Sequence, residues 1–179
     1  MKHIVLILFV SIFSLTRINA QTFAGAGFSN TQLSNRVLDD AAGFSLLLEK
    51  DLNIFKSTRW KMHPNLHVSF LFSDYNSTFQ PIYLNVISFS PKVSYEVFSG
   101  KKIKLAPYAN PFVSFLLGLQ SEYAVFESET LNDLGSGFEV GIKIDFMIGK
   151  TALRFIPLSV QRSLEDLYRQ GMISLMVGM

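Results

Sequence analysis

Cysteine is absent from the chain. That excludes a disulfide framework, a thiolate metal site and a lipid-modified cysteine. Long apolar runs are absent too, once the first 20 residues are passed. No uncharged stretch there approaches the ~20 residues a spanning helix needs. A surplus of one charge is also lacking. Lysine and arginine number 16 and the acids 14, and two of the bases, Lys2 and Arg17, fall in the first 20 residues. The remainder is neutral by count, so nothing in the balance points to nucleic acid. Phosphate-cradling glycine loops and paired metal motifs are missing as well.

What the chain does have is alternation. In Ser136–Ile148, SGFEVGIKIDFMI, every second residue from Phe138 is apolar: Val140, Ile142, Ile144, Phe146 and Ile148 follow. Between them lie Gly137, Glu139, Gly141, Lys143, Asp145 and Met147. A period of two belongs to a β-strand with unlike faces. The same pattern recurs along the chain. It predicts strands over Thr22–Ser29, Ala41–Lys50, Trp60–Ser73, within Phe79–Phe98, Ile103–Gln120, Ser136–Ile148, Thr151–Gln161 and Gly171–Met179. Pro64 removes a ladder donor, but the alternation runs through it.

Residues 1–20 read as a secretory signal peptide. Lys2 and His3 open it, Ile4–Leu15 is its apolar core, and Ile18-Asn19-Ala20 precedes the expected cleavage. Residues 21–179 then form one all-β domain. Eight strands with short and long connections in alternation predict an antiparallel, up-and-down transmembrane β-barrel. Aromatic residues near the ends of the apolar faces, Trp60, Phe72, Tyr83 and Tyr95, suit interfacial girdles. The final strand runs to the end of the chain. A soluble lipocalin-like carrier is the alternative, with the two faces exchanged.

The small-residue first strand, YLNVISFSPKVSYEVF followed by KKIKLAPYANPFVSFLLGLQ, and the last apolar strand carry a resemblance. Over residues 21–179 the chain resembles the small outer-membrane β-barrels of Gram-negative bacteria, similar in architecture to the OmpA transmembrane domain and OmpX. It departs by ending in Met179, where such barrels often end in an aromatic residue. The resemblance implies export to the outer membrane, contact with its lipid and its assembly machinery, and a protein partner met through external loops. It implies no cofactor, metal or nucleic acid, and a non-enzymatic role in envelope structure or surface interaction.

Alternation places Glu49, Lys61, Lys92, Glu96, Lys104, Glu139, Lys143, Asp145 and Arg154 on inward faces. Opposite charges confined there must pair. A salt-bridged filling is the simpler account and a proton or ion path the other. Gly149-Lys150 fits a two-residue hairpin turn. Counting back sets Phe146 opposite Leu153 and Asp145 opposite Arg154. A turn over Phe98–Lys102 would set Glu96 opposite Lys104. His67 and Ser69 share one strand face and could activate a serine for acyl transfer. They resemble in outline the site of an outer-membrane lipid A deacylase, but on the inward face. Ser121–Gly135 reads as a long acidic loop with Glu122, Glu127, Glu129 and Asp133, and Asn76-Ser77-Thr78 matches a glycosylation sequon.

Overall fold

A computed structural model describes residues 21–33, 41–52, 59–73, 79–122, 128–164 and 167–179. The expected signal peptide, the sequon and Glu127 lie outside them. The elements are β1 (Thr22–Leu33), β2 (Ala41–Lys50), β3 (Trp60–Ser73), β4 (Phe79–Tyr95), β5 (Phe98–Ser99), β6 (Ile103–Glu122), β7 (Ser128–Ile148), β8 (Thr151–Ser163) and β9 (Tyr168–Gly178). Apart from β4 and β5, neighbours in sequence pair antiparallel; β1 also pairs β9, and β4 pairs β6. The sheet therefore closes on itself. The two residues of β5 continue β4 along the same side of β6, so the barrel has eight staves. Among the described residues no helix is long and apolar enough to cross a membrane.

The apolar faces point outward. Phe28, Phe44, Phe72, Phe138, Val140, Ile173 and Leu175 are all exposed, while Ser45, Glu49, His67, Ser69, Lys92, Glu139 and Arg154 are buried. A carrier with the two faces exchanged would show the reverse. Two aromatic pairs mark the ends of β3 and β4. Trp60 and Tyr95 lie 4.9 Å apart at the end that carries the Gly149 hairpin, here the lower end. Phe72 and Tyr83 lie 5.9 Å apart at the other. Twelve residues at ~3.3 Å each, tilted by ~40°, separate the two belts by roughly 30 Å.

The interior is filled in layers. An upper apolar layer joins Ala41, Leu71, Leu84, Val86, Phe112, Leu116 and Tyr168. A second apolar group, Phe23, Leu47, Tyr108, Ala152, Ile156, Met172 and Met176, lines a wall lower down. The inward face is thus only partly the polar surface that alternation suggests. Two glycines of β7 make room for aromatics of β6. Phe112 is in register with Gly137 and Tyr108 with Gly141. A Cβ at Gly137 would stand 2.7 Å from the Phe112 ring.

Several strands run past their sequence-read ends. β6 and β7 stay paired from Ile103↔Phe146 up to Ser121↔Ser128. The acidic loop expected over Ser121–Gly135 is therefore mostly strand, and Asp133 is in register with Leu116. Backbone pairing continues where the side chains no longer face hydrocarbon, so the apolar pattern fades before the ladder does. For the same reason β1 reaches Leu33, β8 reaches Ser163 and β9 begins at Tyr168.

Four of the six prolines, Pro81, Pro91, Pro107 and Pro111, lie along the junction of β4 and β6. Paired rungs stop at Phe89↔Val113, resume at Val93↔Ala109 and end at Ser94↔Tyr108. Pro91 thus falls opposite Pro111 and Tyr95 opposite Pro107, where donors are missing. Pro64 interrupts the β2–β3 ladder in the same way. That ladder ends at Glu49↔Asn65 and is met below only by the single bridge Leu52↔Met62.

Candidate functional site

The hairpin at Gly149 sets the lower interior. Its φ of 63° suits the first central position of a primed turn. Ile148 pairs with Thr151, Phe146 with Leu153 and Asp145 with Arg154. The last pair faces inward and is joined twice. Arg154 Nε donates to Asp145 Oδ1 at 2.7 Å and Nη2 to Oδ2 at 2.9 Å. The guanidinium also holds Asp51, through Nη1 at 2.8 Å and Nη2 at 3.1 Å, and donates through Nη1 to Glu49. Its carbon sits 3.7 Å from the centre of the Phe23 ring. One buried guanidinium is therefore shared by three carboxylates from two segments of the chain, the end of β2 and the end of β7.

His63 and Lys143 complete this layer. His63 Nδ1 lies 2.7 Å from Asp51 Oδ1, and Lys143 Nζ lies 2.6 Å from His63 Nε2. An ammonium only donates. The ring therefore accepts at Nε2 and donates Nδ1–H to Asp51. Glu49, Asp51 and His63 bring one ligand atom each within 4.8 Å of one another. Arg154 already occupies both carboxylates, so a cation would have to displace it.

Above this lies a layer centred on Glu139. Tyr108 Oη donates to it at 2.9 Å, Ser159 Oγ at 2.7 Å, Gln161 Nε2 at 3.1 Å and Asn110 Nδ2 at 3.3 Å. Lys92 Nζ stands 3.4 Å from both Glu49 and Glu139 and 4.7 Å from the centre of the Tyr108 ring. The two layers are thus linked through Lys92 and Glu49.

Higher still is a neutral polar network. Ser69 Oγ bonds His67 Nε2 at 2.7 Å and Ser45 Oγ at 2.8 Å, and accepts from Gln170 Nε2 at 2.7 Å. His67 and Ser69 are therefore brought together. Both are fully buried inside the barrel, away from lipid, and His67 Nδ1 has no partner among the described residues. The imidazole thus lacks the carboxylate that would orient it as a base. The geometry gives the acyl-transfer reading no support.

Lys61, Glu96 and Lys104 gather at the lower mouth, but not as the register count predicts. Lys104 pairs with Ser99 on β5 and with Asp145 on β7, rather than opposite Glu96. The turn closes with Gly100 N–H donating to Ile103 O at 2.9 Å, one residue out of step with the β4–β6 register. Glu96 instead meets Lys61 at 2.7 Å, with Lys104 at 3.8 Å. Of the nine residues that alternation places on inward faces, the structure brings Glu49, Lys92, Glu139, Lys143, Asp145 and Arg154 together in the interior and leaves Lys61, Glu96 and Lys104 at the lower mouth. Alternation misses Asp51, one residue beyond β2, and His63, an inward residue of β3 that does not count as a charge partner in the sequence.

Two carboxylates lie beyond strand ends. Burial opposes ionisation of Asp51, but the His63 hydrogen bond and the Arg154 charge outweigh it and hold its carboxyl well below the ordinary range. Burial likewise opposes ionisation of Glu96, and the Lys61 hydrogen bond and charge hold it below its ordinary value.

No protein-family model matches the chain, and no curated protein matches it by sequence. Solved structures do match. Neisserial surface protein A is 12% identical with a TM-score of 0.60, over 89% of this chain and 96% of that one. Ail, the attachment invasion locus protein of Yersinia pestis, is 10% identical with a TM-score of 0.58, over 89% and 95%. A major outer membrane protein from Thermus thermophilus is 10% identical with a TM-score of 0.52, over 90% and 98%. At these identities the likeness is one of fold. The chain has the architecture of the small eight-stranded outer-membrane β-barrels, and that fold points to the outer membrane.

Proposed function

We propose that this chain is a non-enzymatic outer-membrane β-barrel that serves envelope structure or surface interaction. The observation that carries the reading is a projecting wall. β6 and β7 have 20 and 21 residues. At ~3.3 Å per residue and ~40° tilt they stand about 50 Å tall, against the ~25 Å of a barrel's apolar band. β1, with 12 residues, rises only about 30 Å by the same geometry. β4, β6 and β7 thus continue as a three-stranded wall on one side. β3 pairs with β4 no higher than Leu71↔Leu84, and β8 pairs with β7 no higher than Gly137↔Ser163. Among the described residues no further strand pairs with the outer edges of this wall, and such edges are suited to partners.

In this reading residues 1–20 direct export, the tight-turn end is periplasmic and the wall is external. Outer-membrane lipid and the assembly machinery are then its first partners. Ail has been solved with the heparin analogue sucrose octasulfate, so a sulfated polyanion belongs among the candidates to test. The protein should fractionate with the outer membrane and migrate differently on gels before and after heating. Recovery of folded protein from the periplasm without detergent would overturn the reading. Ser69→Ala should leave the lipid A acylation pattern unchanged, and a lipid A mass shift lost in that variant would restore the enzyme.

A further inference from the structure

The junction of β4 and β6 breaks where a membrane wall should be continuous. Val97 N–H donates to Leu105 O at 3.0 Å. Bonded rungs recur every second residue in an antiparallel pair, so Phe89, Pro91, Val93 and Tyr95 turn their backbone groups toward β6. Pro91 and Pro111 meet on such a rung, and each lacks the N–H that the other's carbonyl would take. Pro107 removes another donor one rung below Val93↔Ala109. The carbonyl of Pro111 is met by the Asn110 side chain, Nδ2 donating at 3.5 Å. In hydrocarbon no water replaces a missing donor.

What lies on each side of the break differs in kind. Outside stand Phe89, Val93, Ala109 and Val113, an apolar surface. Inside stand Ser90, Lys92, Asn110 and, across β3, Asn65, all buried. The side-chain carbonyl oxygens of Asn65 and Asn110 have no partner among the described residues, although these residues are only 1% and 2% exposed. Lys92 is committed to Glu49 and Glu139. The two unpartnered atoms, Asn65 Oδ1 and Asn110 Oδ1, are hydrogen-bond acceptors.

We propose that the β4–β6 junction at Pro91 and Pro111 is a lateral opening from the bilayer, and that it takes the hydrogen-bond-donor head of a membrane amphiphile, an amine or a hydroxyl. The tail stays against Phe89 and Val113 while the head meets Asn65, Asn110 and the carbonyl of Pro91, to which Pro111 has no N–H to donate. The inference rests on the barrel standing in a membrane.

The absence of cysteine makes single reporters unique. Full-length mature barrels carrying Asn110→Cys, Ser45→Cys or Val113→Cys would be reconstituted in phosphatidylcholine vesicles. Each would be treated with lipid-soluble N-cyclohexylmaleimide or with a charged, membrane-impermeant maleimide. Val113→Cys faces outward and reports insertion. If the charged reagent labels it as fast as the lipid-soluble one, the membrane reading has failed rather than the opening. Ser45→Cys is equally inward but stands where the rungs to both neighbours, Ser45↔Gly27 and Ser45↔Ser69, are continuous.

The lipid-soluble reagent should label Asn110→Cys at least ~10-fold faster than Ser45→Cys. Adding Pro91→Val and Pro111→Val restores both donors and should bring the rate down to that of Ser45→Cys. Pro91→Ala, which restores one donor, should give an intermediate rate and serves if the double variant does not fold. Equal rates at Asn110→Cys and Ser45→Cys, or no response to the proline changes, would overturn the opening. Equally fast labelling by the charged reagent would assign access to an aqueous mouth and overturn it too. Dodecylamine in the vesicles should slow labelling of Asn110→Cys and dodecanoate should not; the opposite order would overturn the donor-head assignment.

Discussion

Arg154 is the residue on which the lower interior turns. A two-member pair with Asp145 was readable from the hairpin count, because a tight turn fixes every rung beneath it. Glu49 and Asp51 were not readable as further partners, since they come from a segment about 100 residues away in sequence. The consequence is energetic. Removing a buried charge strands its partners, at about 3–5 kcal/mol for an ordinary pair. Arg154→Met should therefore destabilise the barrel by at least that amount in urea unfolding from micelles. Adding Asp145→Asn should restore only part of the loss, because Glu49 and Asp51 still lack their cation. Full recovery by that one addition would mean the shared arrangement is absent. Asp51 makes a second prediction. Its folded pKa is depressed, so its contribution is complete above the unfolded value and is lost as pH falls below it. With an unfolded value near ~3.9, the urea midpoint should begin to fall below about pH 4. Asp51→Asn should lower the midpoint at neutral pH and flatten this acid slope; identical slopes would count against the assignment.

Strands were legible where one face met hydrocarbon and the other a filled interior. Phe138 to Ile148 shows this well, since each outward position had to be apolar. Legibility failed at the upper ends. Ser128–Gly135 pairs with β6 although its residues read as a loop, because a ladder in water carries no apolar requirement. The inward apolar layer was also hard to see. Leu71, Leu116 and Met172 occupy positions that alternation assigns to polar side chains, and only the need to fill the barrel explains them. At the lower end the local signal was complete. Gly149 has φ of 63°, and a Cβ added there would meet nothing within 4 Å, so its cost is conformational rather than steric. Gly149→Val should destabilise the barrel by about 1–2 kcal/mol, as the left-handed region does for a residue with a side chain. Gly171→Ala has equally open space and no positive φ, and should cost clearly less in the same unfolding assay.

At the scale of the molecule, the lumen is closed twice along its length. Below, Arg154 and Lys92 interlock with Glu49, Asp51, Asp145 and Glu139, and Lys143 is held on His63. Above, Phe112 and Tyr168 lie 6.0 Å apart within the apolar layer. The two closures differ in physics. An ion entering from above meets hydrocarbon side chains that cannot replace its water. An ion entering from below meets charges already paired, and passage requires breaking pairs that cost several kcal/mol each. Because the closures stand in series, opening one leaves the other. The wild-type barrel in a planar bilayer should therefore show no long-lived conducting state. Phe112→Ala combined with Tyr168→Ala should also stay closed, since the charged layer is untouched. Long-lived openings in the wild type would refute the plug. Openings in the double variant alone would show that the apolar layer is the only seal and that the ion-paired section below it is permeable.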